Sequence, residues 1–315
     1  MKIPENSELL CVIGPTASGK TALSLELARS LDGEIISVDS RQVFRFMDVG
    51  TDKVSMNTRA EIPHHMIDVV DPDGYFSAAD FAEGAKRIVV DIVSRGKTPI
   101  LVGGTPFYYR ALFSGILSAE LKSWPEVRKE YEARWRDGEA KFLYQRLERE
   151  DPDYASHVHP NDAFRVIRAL AIIDKTGKKP TYWRKRALKR KTGLSPFYIG
   201  LYPGREALYS NIEKRVREQF LKGYPEEVEN LLARGYGEDL PSMRGFGYRE
   251  LAAFHGGRMS LKEALEGDIR STKAFARRQM TWFRRFSPSL WYYVPGSGIT
   301  EQVRKVIGLW RTRHS

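Results

Sequence analysis

Cysteine is almost absent: Cys11 is the single one in 315 residues. An intramolecular disulfide and a cysteine-based zinc cluster are therefore excluded. Long apolar runs are missing too, and none approaches the roughly 18–20 residues that span a bilayer. Met1-Lys2-Ile3-Pro4-Glu5-Asn6 is polar and carries an acid, unlike a secretory leader. No internal repeat or low-complexity tract appears. These absences predict a soluble, cytoplasmic protein with no membrane partner. Acids are outnumbered: 40 Asp+Glu against 51 Lys+Arg leave a net charge of +11. Such an excess favours a polyanionic partner without naming it. The hydrophobic fraction of 42% lies near the globular norm of about 45–50%, so a packed core is expected rather than disorder. The length suggests roughly two domains.

Apolar runs alternate with helical patterns along the first third of the chain. Leu9–Ile13 is a short buried-strand run ended by Gly14-Pro15. A helical spacing of four (Leu23, Leu27, Leu31) follows over about 21–31. Glu34–Val38 reads as a second strand, and Ser77 with Asp80 opens a helix over about 78–95. Pro99–Val102 reads as a third strand, ended by Gly103-Gly104. Continuous apolar strands between helices predict an α/β fold with a parallel sheet covered on both faces. From about 117 to 196 the chain is charged and helical, with Trp124, Trp135 and Trp183 as core anchors. Strand character returns at Phe197–Tyr202. The expected architecture is a phosphate-loop NTPase-like core, 1–116 with 197–315, interrupted by a helical insertion, 117–196.

Gly14-Pro15-Thr16-Ala17-Ser18-Gly19-Lys20-Thr21 matches G-x-x-x-x-G-K-[ST] between a strand and a helix. The glycines let backbone N–H groups curl around a phosphate, and the helix N-terminus adds a positive partial charge. Lys20 supplies a full charge to the terminal phosphates. The Thr21 hydroxyl is placed for Mg²⁺. The motif specifies a di- or triphosphate, not ATP.

Strand ends are where ligands bind in open parallel sheets. Asp39, after the second strand, is therefore expected at the same crevice. It reads three ways: a carboxylate linked to Mg²⁺, a base for an acceptor substrate, or a helix N-cap. Thr105, after Gly103-Gly104, reads equally as a phosphate ligand or as a cap.

Three basic segments carry aromatics. They are Tyr182–Lys191, Arg244–Arg249 and Arg270–Arg285, and the first and last contain no acid. Cations interleaved with aromatics suit a nucleic-acid backbone and unstacked bases. His64-His65 and His157-x-His159 lack the Cys or carboxylate neighbours of a metal site.

The ordered blocks resemble the tRNA dimethylallyltransferase family. They are Gly14–Thr21, Ser37–Val43, Met47–Thr51, Pro63–Asp68, Ser77–Phe81, Leu101–Thr105, His159–Asp162, Arg165–Leu170, Gly247–Glu250 and Arg277–Phe283. The resemblance implies alkylation of N6 of the adenosine at tRNA position 37, beside the anticodon. Dimethylallyl diphosphate is the implied donor and diphosphate the leaving group. It implies that the phosphate loop, Lys20 and Mg²⁺ hold the leaving anion, and that Asp39 takes the amine proton. It also implies that Thr105 nears the bridging oxygen and that Arg215 addresses the diphosphate. The tRNA contacts it implies are Asp39, Ser40, Arg41, Gln42, Arg165, Arg168, Arg244, Gly247, Tyr248 and Arg249. The expected partners are a tRNA anticodon stem-loop and the prenyl diphosphate, met by a monomer. The target base must leave its stack to reach the core.

The chain departs from the family pattern at named places. Phe46 stands where Gly is usual, and Phe44 where Tyr is. Pro106-Phe107-Tyr108 replaces Gly-Leu-Tyr, Phe164 replaces Gln or Arg, and Ala171 replaces Glu. Lys20, Thr21, Asp39 and Thr105 are all retained, so an active enzyme is expected. The rival readings are an ATP-dependent small-molecule kinase, an enzyme prenylating free adenine nucleotides, and an RNA-binding module without catalysis.

Overall fold

The computed structural model of the protein describes residues 7–115, 124–189, 193–286, 290–292 and 299–314. Six strands among them form one sheet: β1 (Ser7–Ile13), β2 (Gly33–Ser37), β3 (His64–His65), β4 (Thr98–Gly103), β5 (Leu194–Leu201) and β6 (Leu290–Tyr292). The order is β3-β2-β4-β1-β5-β6, and every pairing is parallel. β4 thus lies between β1 and β2. Its register sets Val102 beside both Val12 and Ser37, and Gly103 beside Ile13. The carboxyl ends of the three strands therefore lie side by side. That arrangement brings the phosphate loop, Asp39 and Gly103-Gly104 to one crevice.

The chain divides into two compact units, Met1–Tyr109 with Gly193–Ser315, and Arg110–Thr192. The second unit starts somewhat before the expected 117 and ends before the expected 196, because β5 already begins at Leu194. In the first unit, α1 (Lys20–Ser30) buries Leu23 and Leu27 against Leu10, Val12, Ile35 and Ile100 of the sheet. A short α2 (Met56–Glu61) is capped by Ser55. Next, α3 (Ala78–Ser94) opens on a capping box in which Ser77 and Asp80 satisfy each other's backbone N–H. It buries Phe81, Ala85, Val89 and Ile92. α4 (Pro106–Ser114) follows β4 directly, and its Tyr108 stacks on Phe81 at 4.4 Å.

The unit Arg110–Thr192 is helical among its described residues. It holds α5 (Pro125–Arg134), a turn through Gly138 at φ +92°, α6 (Ala140–Glu150), α7 (Pro152–Ala155), α8 (Ala163–Thr176) and α9 (Pro180–Lys189). Its core joins Tyr131, Leu143, Leu147, Val166, Ile167 and Leu170. Buried Asp151 accepts from the amide (2.8 Å) and hydroxyl (2.7 Å) of Thr181, tying α7 to α9.

The first unit resumes after β5 with α10 (Arg205–Leu221), α11 (Tyr224–Ala233), α12 (Tyr248–His255), α13 (Leu261–Phe283) and α14 (Ile299–His314). Val303 and Val306 of α14 join the sheet core beside α1. Met47, Tyr224, Val228, Tyr248 and Leu251 form a separate core beneath α11 and α12. No helix among the described residues is long and apolar enough to cross a membrane.

Candidate active site

A cavity of about 460 Å³ opens at the strand ends. The phosphate loop from Thr16 to Thr21 forms one wall, with Asp39–Gln42 and Gly103-Gly104 opposite. Arg215 and Asn211 on α10, and Gln279 on α13, complete it.

The loop takes its shape from backbone conformation. Gly19 lies at φ +90°, where a side chain is strained, and starts α1. Gly14 and Pro15 do not line the cavity. Gly14 packs so closely that a Cβ there would lie 2.5 Å from the Leu201 carbonyl oxygen. Pro15 offers its carbonyl to Lys20 Nζ at 2.6 Å. Burial, reinforced by the Arg215 charge, pushes the Lys20 ammonium down to about 7, while Asp39 and Asp52 act the other way. The site thus holds a lysine whose full charge an incoming anion restores. Ser18 Oγ and Arg215 Nε are buried with no hydrogen-bond partner among the described residues. Donors left unpaired in a buried wall are costly, and an anionic ligand satisfies them.

Of the three readings of Asp39, the structure shows the cap. Its Oδ1 accepts from the amides of Arg41 (2.8 Å) and Gln42 (3.4 Å), which is a cap. No hydrogen bond to Oδ2 occurs among the described residues, so the carboxylate keeps a proton-accepting oxygen. Thr105 also acts as a cap: its hydroxyl oxygen accepts from the Ser40 amide at 3.1 Å. It does not line the cavity, although Ser40 and Gly104 do. The Thr21 hydroxyl makes no hydrogen bond among the described residues and lines the cavity with Asp39 and Asp52. Such an all-oxygen set, short of protein ligands, suits Mg²⁺ shared with a phosphate. No cluster of three or more His, Cys, Asp or Glu able to hold a metal by itself occurs among the described residues. His65 is instead paired with buried Glu34 at 2.7 Å.

A model of the IPP transferase family matches residues 42–286. The chain belongs to that family. The tRNA dimethylallyltransferase of Geobacter metallireducens is 42% identical over 94% of this chain and 96% of its own. That of Halothermothrix orenii is 40% identical over 92% and 88%. The tRNA Δ(2)-isopentenylpyrophosphate transferase structure from Staphylococcus epidermidis superposes with a TM-score of 0.71 at 34% identity, covering 98% of this chain and all of that one. A eukaryotic dimethylallyltransferase structure, described as acting on tRNA, gives 0.75 at 28% identity over 88% and 70%.

Against this IPP transferase fold, the residues that the resemblance assigns to tRNA fall into two groups. Arg165, Arg244 and Arg249 are exposed. Arg165 pairs with Asp162 at 2.6 Å, and the Arg168 guanidinium lies 5.4 Å from the Trp124 ring. Arg41 and Gln42 line the cavity and are held in place by interior bonds, while Gly247 and Tyr248 are buried. Arg41 donates to the Phe246 carbonyl at 2.9 Å and stacks 4.0 Å over its ring. Gln42 accepts from Ser37 and donates to the Thr51 carbonyl. A Cβ on Gly247 would meet Tyr224 Oη at 2.3 Å. Tyr248 is fully buried and donates to Glu227, so its assignment to tRNA contact is corrected here to core packing. Burial lifts Asp268, near Arg41 and Thr272, to about 6.

The basic segments are less unopposed than their sequence suggests. Lys273 pairs with Glu213, Arg249 contacts Glu250 and Arg270 reaches Glu266. Arg277, Arg284 and Arg285 are exposed with no acidic partner among the described residues. Arg190 and Lys191 lie outside the described residues.

Two contributors escaped sequence reading. Gln279 is buried, accepts from the Thr16 amide at 2.9 Å and donates to the Gly104 carbonyl at 2.6 Å. Asp52 accepts from Arg215 at 3.4 Å. Asp52 directly follows the Met47–Thr51 block, which was the available signal.

Proposed function

We propose that this enzyme transfers a dimethylallyl group from dimethylallyl diphosphate to N6 of the adenosine at tRNA position 37, in the anticodon stem-loop. One observation carries the reading: a phosphate loop and a carboxylate with a proton-accepting oxygen share one cavity at adjoining strand ends. Transfer needs both. The N6 lone pair attacks C1 of the allyl group, and the C1–O bond breaks with its electron pair leaving on diphosphate. Lys20, Arg215 and the loop amides stabilise that charge as it grows. The amine proton passes to Asp39, which also orients the nucleophile. Thr105 does not line the cavity and hydrogen-bonds Ser40 on both its amide and its hydroxyl, so it supports the Asp39–Gln42 wall rather than meeting the diphosphate. Thr21 would hold Mg²⁺, which supplies further neutralisation of the leaving group when bound.

Exposed Arg244, Arg249 and Arg277 provide charge for the tRNA backbone beside the cavity's own unit. The cavity is lined within one chain, so a monomer suffices, working in the cytoplasm where tRNA is modified.

The test is to incubate the protein with Mg²⁺, dimethylallyl diphosphate and unmodified tRNA that reads codons starting with U, then digest and weigh the nucleosides. Prenylated adenosine is expected. Its absence would sink the reading. Prenylated AMP formed without tRNA would assign the enzyme to free nucleotides, and ATP turnover without tRNA would assign it to small-molecule phosphorylation.

A further inference from the structure

Glu227, on α11, makes an unusual set of contacts. Its Oε2 accepts from the amides of Asp48 (2.7 Å) and Val49 (2.6 Å). Its Oε1 accepts from the Gly50 amide (3.1 Å) and the Tyr248 hydroxyl (2.7 Å). Three consecutive amides therefore converge on one carboxylate from a helix almost 180 residues later in the chain. Charge-assisted bonds of this kind are about twice as strong as neutral ones.

The gripped loop leads straight into the cavity. Gln219 Nε2 donates to the Val49 carbonyl at 2.7 Å, and a Cβ on Gly50 would lie 2.1 Å from the Tyr224 ring. The loop is therefore held by Gln219 on one side and packed against Tyr224 on another. It ends at Asp52, a non-glycine residue at φ +55°, whose amide donates to the Val49 carbonyl at 3.1 Å. Aspartate adopts this left-handed conformation more readily than most side chains, and the bond to Val49 helps to hold it there. Asp52 Oδ2 accepts from Arg215 Nη1 at 3.4 Å, while Arg215 Nε is buried with no hydrogen-bond partner among the described residues.

We infer that Glu227 is a positioning residue for prenyl transfer: by gripping the amides of residues 48–50 it sets Asp52, and through Asp52 aims Arg215 at the diphosphate. The inference rests on the proposed function for its substrate, but not for its geometry. Glutamine at 227 offers one accepting oxygen and turns an NH₂ toward either the amides or the tyrosine hydroxyl. The loop then loses part of its hold while the fold keeps its apolar packing.

The test compares Glu227→Gln, Asp52→Asn and the double variant with wild type. Inorganic diphosphate binding is measured by calorimetry, KM for dimethylallyl diphosphate by steady-state kinetics, and tRNA affinity separately. Glu227→Gln is expected to weaken diphosphate binding and raise that KM about tenfold, with tRNA affinity within about twofold. The double variant is expected to be no worse than the worse single one, because both changes cut the same chain of contacts. Additive losses, unchanged diphosphate binding, or an equal loss of tRNA affinity would overturn the inference. Should Glu227→Gln not fold, Gln219→Met loosens the same loop from its other side. A weaker shift in the same direction supports the inference, and unchanged diphosphate affinity in a folded Gln219→Met overturns it. If wild type binds diphosphate but never prenylates tRNA, the proposed function fails while the calorimetric comparison still judges Glu227.

Discussion

Gln279 accepts a hydrogen bond from the Thr16 amide at 2.9 Å, across 263 residues of sequence. Through its other end it donates to the Gly104 carbonyl at 2.6 Å. One buried carboxamide thereby fixes the spacing between the phosphate loop and the end of β4. Gln279→Ala removes both bonds and strands two backbone groups. Each such loss is worth about 1–3 kcal/mol, and about 1.4 kcal/mol is tenfold in binding. The expected outcome is a roughly 10- to 100-fold fall in kcat/KM for dimethylallyl diphosphate, with tRNA affinity nearly unchanged. A fall below threefold would remove Gln279 from the machinery.

Asp39 both caps the following turn and faces the cavity, so the choice of substitution matters. Asp39→Ala abolishes the cap and the base together. Asp39→Asn keeps an Oδ1 that accepts from the Arg41 amide, and loses only the proton acceptor. Single-turnover transfer is expected to drop about 100- to 10,000-fold. The melting temperature and tRNA binding should stay close to wild type. Wild-type transfer by Asp39→Asn would exclude Asp39 as the base.

What was readable in the sequence followed from local punctuation. The phosphate loop, Asp39 and Gly103-Gly104 each end an apolar run, and a parallel sheet puts such ends on one edge. The insertion of β4 between β1 and β2 has no local signature, although it sets Asp39 beside the phosphate loop. Gln279 and Glu227 were invisible for a related reason. Gln279 sits in a segment that read as a nucleic-acid surface and Glu227 in one with no motif, and their partners come from distant chain. Gln279 lies on the buried side of α13 with Ala276, Met280 and Phe283, while Arg277 and Arg278 face out. The same segment read as a continuous basic stretch because sequence windows miss acids supplied from another helix, as Glu213 of α10 is to Lys273.

Phe46 shows what a departure from the family pattern costs. It sits at φ +65°, a conformation glycine adopts freely and other residues pay about 1–2 kcal/mol to hold. The Arg234 guanidinium 4.4 Å above its ring and stacked Tyr236 offset part of that strain. Phe46→Ala keeps the strain and loses the contacts. Phe46→Gly loses the contacts and the strain together. The glycine variant is therefore expected to be more stable than the alanine one, by up to about 1 kcal/mol after unfolded-state entropy. Urea unfolding midpoints decide it. The reverse order would mean that the unfolded-state entropy of glycine outweighs the backbone strain at this position.

Exposed and interior arginines should separate cleanly. Arg165 is exposed and pairs with Asp162. If it meets a tRNA phosphate, Arg165→Gln should weaken tRNA binding and lower the slope of log affinity against log salt by about one. Arg41→Gln should instead lower stability, because the guanidinium bonds the Phe246 carbonyl and stacks on its ring. Filter binding over a salt series, beside thermal melts, distinguishes the two. An unchanged slope for Arg165→Gln would make that arginine a solvated ion pair.

Lys20 gives the site a pH signature. Burial and Arg215 bring its ammonium down to about 7, so near neutrality only part of the unliganded protein carries that charge. A bound diphosphate favours the charged form and returns the group toward its ordinary value of 10.5. The sign follows: the complex binds more protons than the free protein between those values, so binding takes protons up and affinity falls as pH rises through that window. At pH 7.5 the uptake at Lys20 should be roughly three quarters of a proton. Calorimetry in two buffers of different ionisation enthalpy reads it directly. Lys20→Arg, which stays charged throughout, provides the baseline for protons exchanged by the ligand itself. Equal proton exchange by wild type and Lys20→Arg would show that the free lysine is already fully charged. The phosphate loop would then meet its anion without the protonation step its buried lysine implies.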